Sequence, residues 1–374
     1  MRTGKQLFST LADHKLTVEI SETQFEEPTG KQVLVRMEAA PINPSDLGLL
    51  ALGADLANAE YSAGKFVADM PEPFYRGSKA RHGLRLPVGN EGAGTVVAAG
   101  EHEMAQALIG QRVACLSGST YSEYTLIDAM MCLPLGNISA VDGASAFVNP
   151  MTALGFVENA KMEGQTAILH TVGASNLGLM LNKICQEDNI PLVNIVRKAE
   201  QAELLSGLGS KHTVNSSDKD FSKQLCDAIE ATDAYYGFDP IGGGRMIDTC
   251  LRAMERVAVK KMTEHSRYGS DQPKKMYHYG VLDMSPTILT PSYGHGWTVS
   301  GWLLFPFLRA AGSETVERMR QRVLAGLTTT FASSYKRQVS LEEMLTRDAV
   351  LEYSAMKTGE KYLVTPPPLR QALA

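Results

Sequence analysis

The run HTVGASNLG constrains this chain more than any other stretch. It joins the strand-like TAILH to the helix-like LGLMLNKIC through a glycine-bearing turn, and the alternation continues through PLVNIV, AEQAELLSGLG, HTVN, FSKQLCDAIE and AYYGFDPIGGG. Short apolar runs suit buried strands, and apolar residues at helical spacing suit the helices between them. The stretch therefore predicts the βαβαβ rhythm of a doubly wound parallel sheet. The rhythm sets in near Ile138, where DGASAFVNPMTALGFVENA reads as helical, and the domain boundary falls near Asn149. Beyond MYHYGVLD and TVSGWLLF, helices around 314–325 and 341–351 lead to a last strand, KYLV, and a Pro-rich end expected to be loose. A chain of 374 residues exceeds the usual size of one hydrophobic core, so two domains are expected.

The turn also suggests a ligand. A dinucleotide needs close backbone approach to its pyrophosphate and a helix N-terminus behind it. Gly173, Ala174, Ser175 and Gly178 can supply these, with Asn176 and Leu177 between them. The run lacks the full G-x-G-x-x-G fingerprint, so a tight βα turn without a ligand is the competing reading. PLVNIV ends at Arg197 and Lys198, where a carboxylate would suit the ribose hydroxyl of NADH and a cationic fork suits the 2′-phosphate of NADPH. NADPH is favoured, while nearby Glu200 keeps NADH open.

The first third reads differently. KQVLVRMEAA, GAGTVVAAGE, QRVACLSG and SEYTLID are short strands bounded by Gly, Pro or Asn, giving an irregular β domain. Residues 47–86 break that rhythm and read as a substrate-facing insertion or a surface excursion. A net charge of -5 gives no general reason to bind nucleic acid or an anionic membrane. The 5 dispersed cysteines show no Cys-x-x-Cys pair, which favours buried thiols in a reducing compartment over disulfides or a metal. The N-terminus lacks a signal-peptide core, and the most apolar run, 299–311, is too short to span a bilayer. A cytoplasmic protein acting on a small molecule is expected.

In order and spacing, VLVRMEAAPINPSD, LPVGNEGAGTVVAAGE, GQRVACLSGSTYSEYT, VNPMTALG with the glycine turn, and YGVLD ahead of VSGW resemble the medium-chain dehydrogenase/reductases, specifically their zinc-independent quinone oxidoreductase branch. The resemblance runs from about Val33 to Pro366. It implies a GroES-like substrate domain (1–148 with a return segment 330–374), a Rossmann dinucleotide-binding domain (149–329), and an active site in the cleft. It places Asn43 near nicotinamide and substrate, Asn149 and Thr152 on the nicotinamide pocket, and Gly280, Val281 and Leu282 beside the nicotinamide. Family habit adds a homodimer joined near GWLLFPFL, a run that also reads as a core strand.

Zinc-dependent relatives carry Cys and His-Glu where this chain reads NPSD and GNEG, so Ser45 and Asn90 stand at those positions, and the clustered cysteines of a structural zinc lobe are missing. The resemblance thus implies NADPH-dependent hydride transfer, without metal, to acceptors already electrophilic, such as quinones or conjugated enones. Asn43 would assist orientation of an acceptor whose oxyanion needs a hydrogen bond. Tyr61, Tyr75 and Tyr121 are candidate proton donors. The main alternative is a trans-2-enoyl thioester reductase, with Lys79, Arg81 and Arg85 meeting a carrier's phosphates, and a third is an NADPH-binding protein without turnover.

Overall fold

A computed structural model describes residues 1–51, 53–359 and 361–366. The Pro-rich end from residue 367 lies outside the described residues. The chain divides into two compact units, one of Met1–Val148 with Arg322–Ala374, the other of Asn149–Gln321.

The second unit is a six-stranded, wholly parallel sheet in the order His212–Asn215, Leu192–Val196, Ile168–His170, Tyr236–Asp239, Lys274–His278, Trp297–Gly301. The three strands earliest in sequence run outward in one direction and the next three in the other, which is the Rossmann order. Leu192–Val196 is buried at all five positions, as a strand covered by helices on both faces must be. Leu169, Val193 and Ile195 pack with Ile229, Leu251 and Met254 in the core of this unit.

The first unit contains a five-stranded antiparallel sheet ordered Glu60–Ser62, Lys65–Asp69, Lys15–Phe25, Arg2–Ala12, Arg85–Pro87. A seven-stranded sheet is built around Gln32–Pro41, which pairs with Glu91–Ala99 on one edge and Tyr124–Asp128 on the other. The returning chain completes it, since Tyr362–Val364 pairs antiparallel with Gln32–Pro41. This is a GroES-like irregular β domain.

Three local features depart from the sequence reading. The opening hairpin of Arg2–Ala12 and Lys15–Phe25 is the longest strand pair in the unit, yet its two-residue turn is Asp13-His14, both at positive φ (48° and 57°), where glycine or asparagine is the usual signal. Residues 47–86 are no free excursion, because Lys65–Asp69 and Arg85–Pro87 flank that hairpin as sheet partners. GWLLFPFL is no core strand, because Gly301 ends the edge strand, a helical segment begins at Leu304, and Leu303 and Phe305 stand 67% and 52% exposed.

Candidate functional site

Strand order reverses between Ile168–His170 and Tyr236–Asp239, and their carboxyl ends flank the glycine turn. Ligands of open α/β sheets bind at such a switch point. Ser175 caps the helix Asn176–Glu187, accepting from Gly178 N at 3.0 Å while donating to Val172 O at 2.9 Å. A Cβ on Gly178 would lie 2.3 Å from Gly173 O, and one on Gly173 would lie 2.8 Å from Asn194, so both positions need glycine for the turn to close against helix and strand. Ala174 is buried, and Asn176 and Leu177 form the helix's first turn. This gives a cradle with a helix N-terminus behind it, the shape a pyrophosphate requires.

Arg197 and Lys198 follow the next strand, both exposed. Their amides are held by Gln201 Oε1 at 3.1 and 3.2 Å, and the Ser217 hydroxyl donates to Arg197 O at 2.7 Å, which brings the end of His212–Asn215 alongside. Among the described residues the Arg197 side chain makes no ion pair.

Gly280, Val281 and Leu282 lie in the loop after Lys274–His278, and Val281 is 53% exposed. Tyr279 N donates to Asp239 O at 2.9 Å and Leu282 N to Pro240 O at 3.0 Å, which pins this loop to the carboxyl end of the sheet. The Thr171 hydroxyl donates to Asp239 there, and Asp239 also takes Gly242 N at 2.8 Å. Asn149 lies in the first turn of Val148–Met162 and Thr152 is its fifth residue. One turn on, Phe156 stacks on Phe238 at 3.8 Å and edges onto Tyr279, so the face carrying Thr152 meets the same strands. His170 Nε2 pairs with Tyr279 Oη at 2.7 Å, and burial pushes the imidazole down to about 3.

In the other unit, Asn43 follows Gln32–Pro41 and is 1% exposed. Its amide N donates to Asp46 Oδ2 at 2.8 Å, and Asp46 Oδ1 takes Asn90 N at 2.9 Å, so one carboxylate ties NPSD to GNEG. Burial raises Asp46 to about 6 against those two amide bonds. Asn90 Nδ2 donates to the Ser45 hydroxyl at 3.0 Å. Among the described residues no three His, Cys, Asp or Glu side chains gather as a metal site.

Glu91 is fully buried. Its Oε1 accepts from Asn43 Nδ2 at 2.9 Å, and its Oε2 from Phe147 N at 2.8 Å and Val148 N at 2.9 Å. Burial raises its carboxyl, opposed chiefly by Lys361. Lys361 Nζ donates to the buried Ser145 hydroxyl at 2.8 Å, burial lowers its ammonium, and Glu91 and Asp46 oppose that shift.

Residues 29–137 match the family model for the alcohol dehydrogenase GroES-like domain. Prostaglandin reductase-3 of Bos taurus is 24% identical over 233 residues, 59% of this chain and 56% of that protein. The chain thus spans little more than half the length of that relative. A solved structure from Mesorhizobium loti, named for NADPH:quinone reduction, superposes with a TM-score of 0.73 at 23% identity, covering 97% of this chain and 98% of that one. The complex of Etr1p with NADP and crotonyl-CoA superposes with a TM-score of 0.68 at 16% identity, covering 98% and 100%. The chain shares the fold of these structures over nearly its whole length.

Two of the three candidate tyrosines have their hydroxyls engaged. Tyr121 is fully buried and donates to Pro41 O at 3.0 Å, while Tyr61 donates to Leu56 O at 2.8 Å. Tyr75 stacks between His14 and His82, each centroid 3.9 Å away. The basic loop is largely tied down too, for Arg81 bonds Gly48 O and Ser9 Oγ and Arg85 lies over the Phe8 ring. Sequence reading missed Glu91, Asp46, Ser145 and Lys361. The GNEG motif held a signal for Glu91, an acid opening an otherwise apolar strand, but Lys361 arrives from the far end of the chain with no motif around it.

Proposed function

We propose that this protein transfers hydride from NADPH to a quinone or related conjugated carbonyl acceptor without a metal. The observation that carries the reading is the Ser45–Asn90 hydrogen bond, because these side chains stand where zinc-dependent relatives carry Cys and His and they satisfy each other. With neither thiolate nor imidazole there, the acceptor must be electrophilic without Lewis-acid help. NADPH supplies the hydride when bound. The dinucleotide-binding domain, expected from sequence at 149–329, is the compact unit Asn149–Gln321, with Gly173, Ala174, Ser175, Asn176, Leu177 and Gly178 cradling the pyrophosphate. Arg197 and Lys198 take the 2′-phosphate, and Asn149, Thr152, Gly280, Val281 and Leu282 line the nicotinamide. The other unit, Met1–Val148 with the return segment from Arg322, is the substrate domain, with Asn43 on the substrate side. The name carried by the Mesorhizobium loti structure supports the choice of NADPH and of quinone.

A trans-2-enoyl thioester reductase is the second reading, favoured by the likeness to Etr1p bound to NADP and crotonyl-CoA. The test is oxidation of NADPH and NADH, side by side, with quinones and short enoyl-CoA thioesters on chelator-treated protein. Quinone turnover with NADPH is the expected result. Activity confined to enoyl-CoA selects the second reading, and tight NADPH binding without turnover leaves a binding protein. The reading includes a cytoplasmic homodimer, supported by the exposed Leu303 and Phe305 just beyond the sheet's edge strand and testable by sedimentation.

A further inference from the structure

The Asn43 side chain is held in one polarity by its partner. A carboxylate only accepts hydrogen bonds, so the group facing Glu91 Oε1 at 2.9 Å has to be the Nδ2 of Asn43. Glu91 has no freedom to turn away, because its other oxygen takes Phe147 N and Val148 N. The opposite end of the amide, Asn43 Oδ1, is buried and has no partner among the described residues. A buried carbonyl oxygen left unsatisfied is costly, and a ligand that donates to it would remove that cost.

Resting on the substrate-side placement of Asn43 in the proposed function, we propose that Glu91 is a positioning residue that fixes Asn43 as a hydrogen-bond acceptor for an O–H or N–H of the bound substrate or product. This inverts the role expected from the sequence. Glu91 takes one of the two Nδ2 hydrogens of Asn43 and turns the nitrogen toward itself, so the end of the amide left for a ligand is the acceptor Oδ1. That oxygen receives the hydroxyl of a reduced product such as a hydroquinone.

Replacing Glu91 by glutamine tests the polarity itself. Two backbone N–H groups demand an acceptor, so in Glu91→Gln the side-chain oxygen takes Phe147 N and Val148 N and the new amide nitrogen faces Asn43. Asn43 then turns Oδ1 inward and Nδ2 outward. The probes are p-cresol, which has a phenolic O–H, and p-fluorotoluene, which has nearly the same shape and no donor, titrated calorimetrically into protein saturated with NADP. Wild type is expected to bind p-cresol roughly tenfold more tightly, and Glu91→Gln to bring the ratio close to one. A wild-type ratio near one, a ratio unchanged in Glu91→Gln, or no binding of either probe overturns the proposal. If Glu91→Gln does not fold, the wild-type ratio still decides, together with the Asn43 side-chain amide protons, which a carboxylate partner protects from exchange. Quinone turnover measured on the same preparation separates the two ideas: turnover with a ratio of one removes the polarity and keeps the activity, while a tenfold ratio without turnover does the reverse.

Discussion

Asn90 and Ser45 are hydrogen-bonded to each other at 3.0 Å. Each is a neutral donor or acceptor, so together they offer a divalent cation neither charge nor a soft ligand. Quinone turnover is expected to be unchanged by prolonged chelation and by added zinc, with metal analysis showing far less than one zinc per chain. A fall in rate on chelation that zinc restores would reject the metal-free chemistry.

Arg197 is exposed at the end of the second strand of the parallel sheet, with no ion pair among the described residues. Losing a charge-assisted fork to a phosphate costs about 1.5–3 kcal/mol. Arg197→Glu is therefore expected to raise the KM for NADPH at least about tenfold and leave the KM for NADH unchanged or lower. Equal losses for both cofactors, measured by steady-state kinetics, would take the 2′-phosphate away from Arg197.

Gly178 sits where a Cβ would stand 2.3 Å from Gly173 O, a backbone atom that cannot swing aside. Alanine gains about 1 kcal/mol of helix propensity, but overpacking costs about 1–3 kcal/mol and opens the turn. Gly178→Ala is expected to weaken NADPH binding, measured by fluorescence titration, and to lower or at best preserve the melting temperature. A variant with unchanged affinity would mean that the turn does not hold the dinucleotide.

Two buried groups give opposite pH dependences. His170 is depressed from 6.5 to about 3, so the folded state binds fewer protons than the unfolded state in that window. Its contribution is present above pH 6.5 and is lost as pH falls, by about 1.4 kcal/mol per pH unit. Asp46 is raised from 3.8 to about 6, so its contribution is present below pH 3.8 and is lost as pH rises through about 6. Denaturant melts at several pH values are expected to show His170→Asn less sensitive than wild type to acid between pH 6 and 4. Asp46→Asn is expected to lose less stability than wild type on going from pH 4 to 6. Parallel curves for wild type and both variants would refute these shifts.

Elements whose cause is local were legible before folding. Strand Ile168–His170, the turn 171–175 and helix Asn176–Glu187 follow from apolar spacing and from glycine where backbones crowd. The residues of NPSD and GNEG likewise state what chemistry those two turns lack. Reading failed where the signal was distant or disguised. The Asp13-His14 turn adopts a glycine-like conformation without glycine, and Lys65–Asp69 and Arg85–Pro87 become strands on the edges that the N-terminal hairpin offers.

What each polar group does with its neighbours emerged only when the chain closed. The three candidate tyrosines look equivalent as residues, but in the folded protein Pro41 O and Leu56 O take the hydroxyls of Tyr121 and Tyr61, while the Tyr75 ring is stacked between two histidines. Asn43 was legible as a site residue, and its polarity was not. That depends on Glu91, 48 residues away, whose second oxygen is held by Phe147 and Val148. The orientation of a buried amide is set by the one neighbour that can only accept, and no local pattern encodes a partner that folding brings from elsewhere.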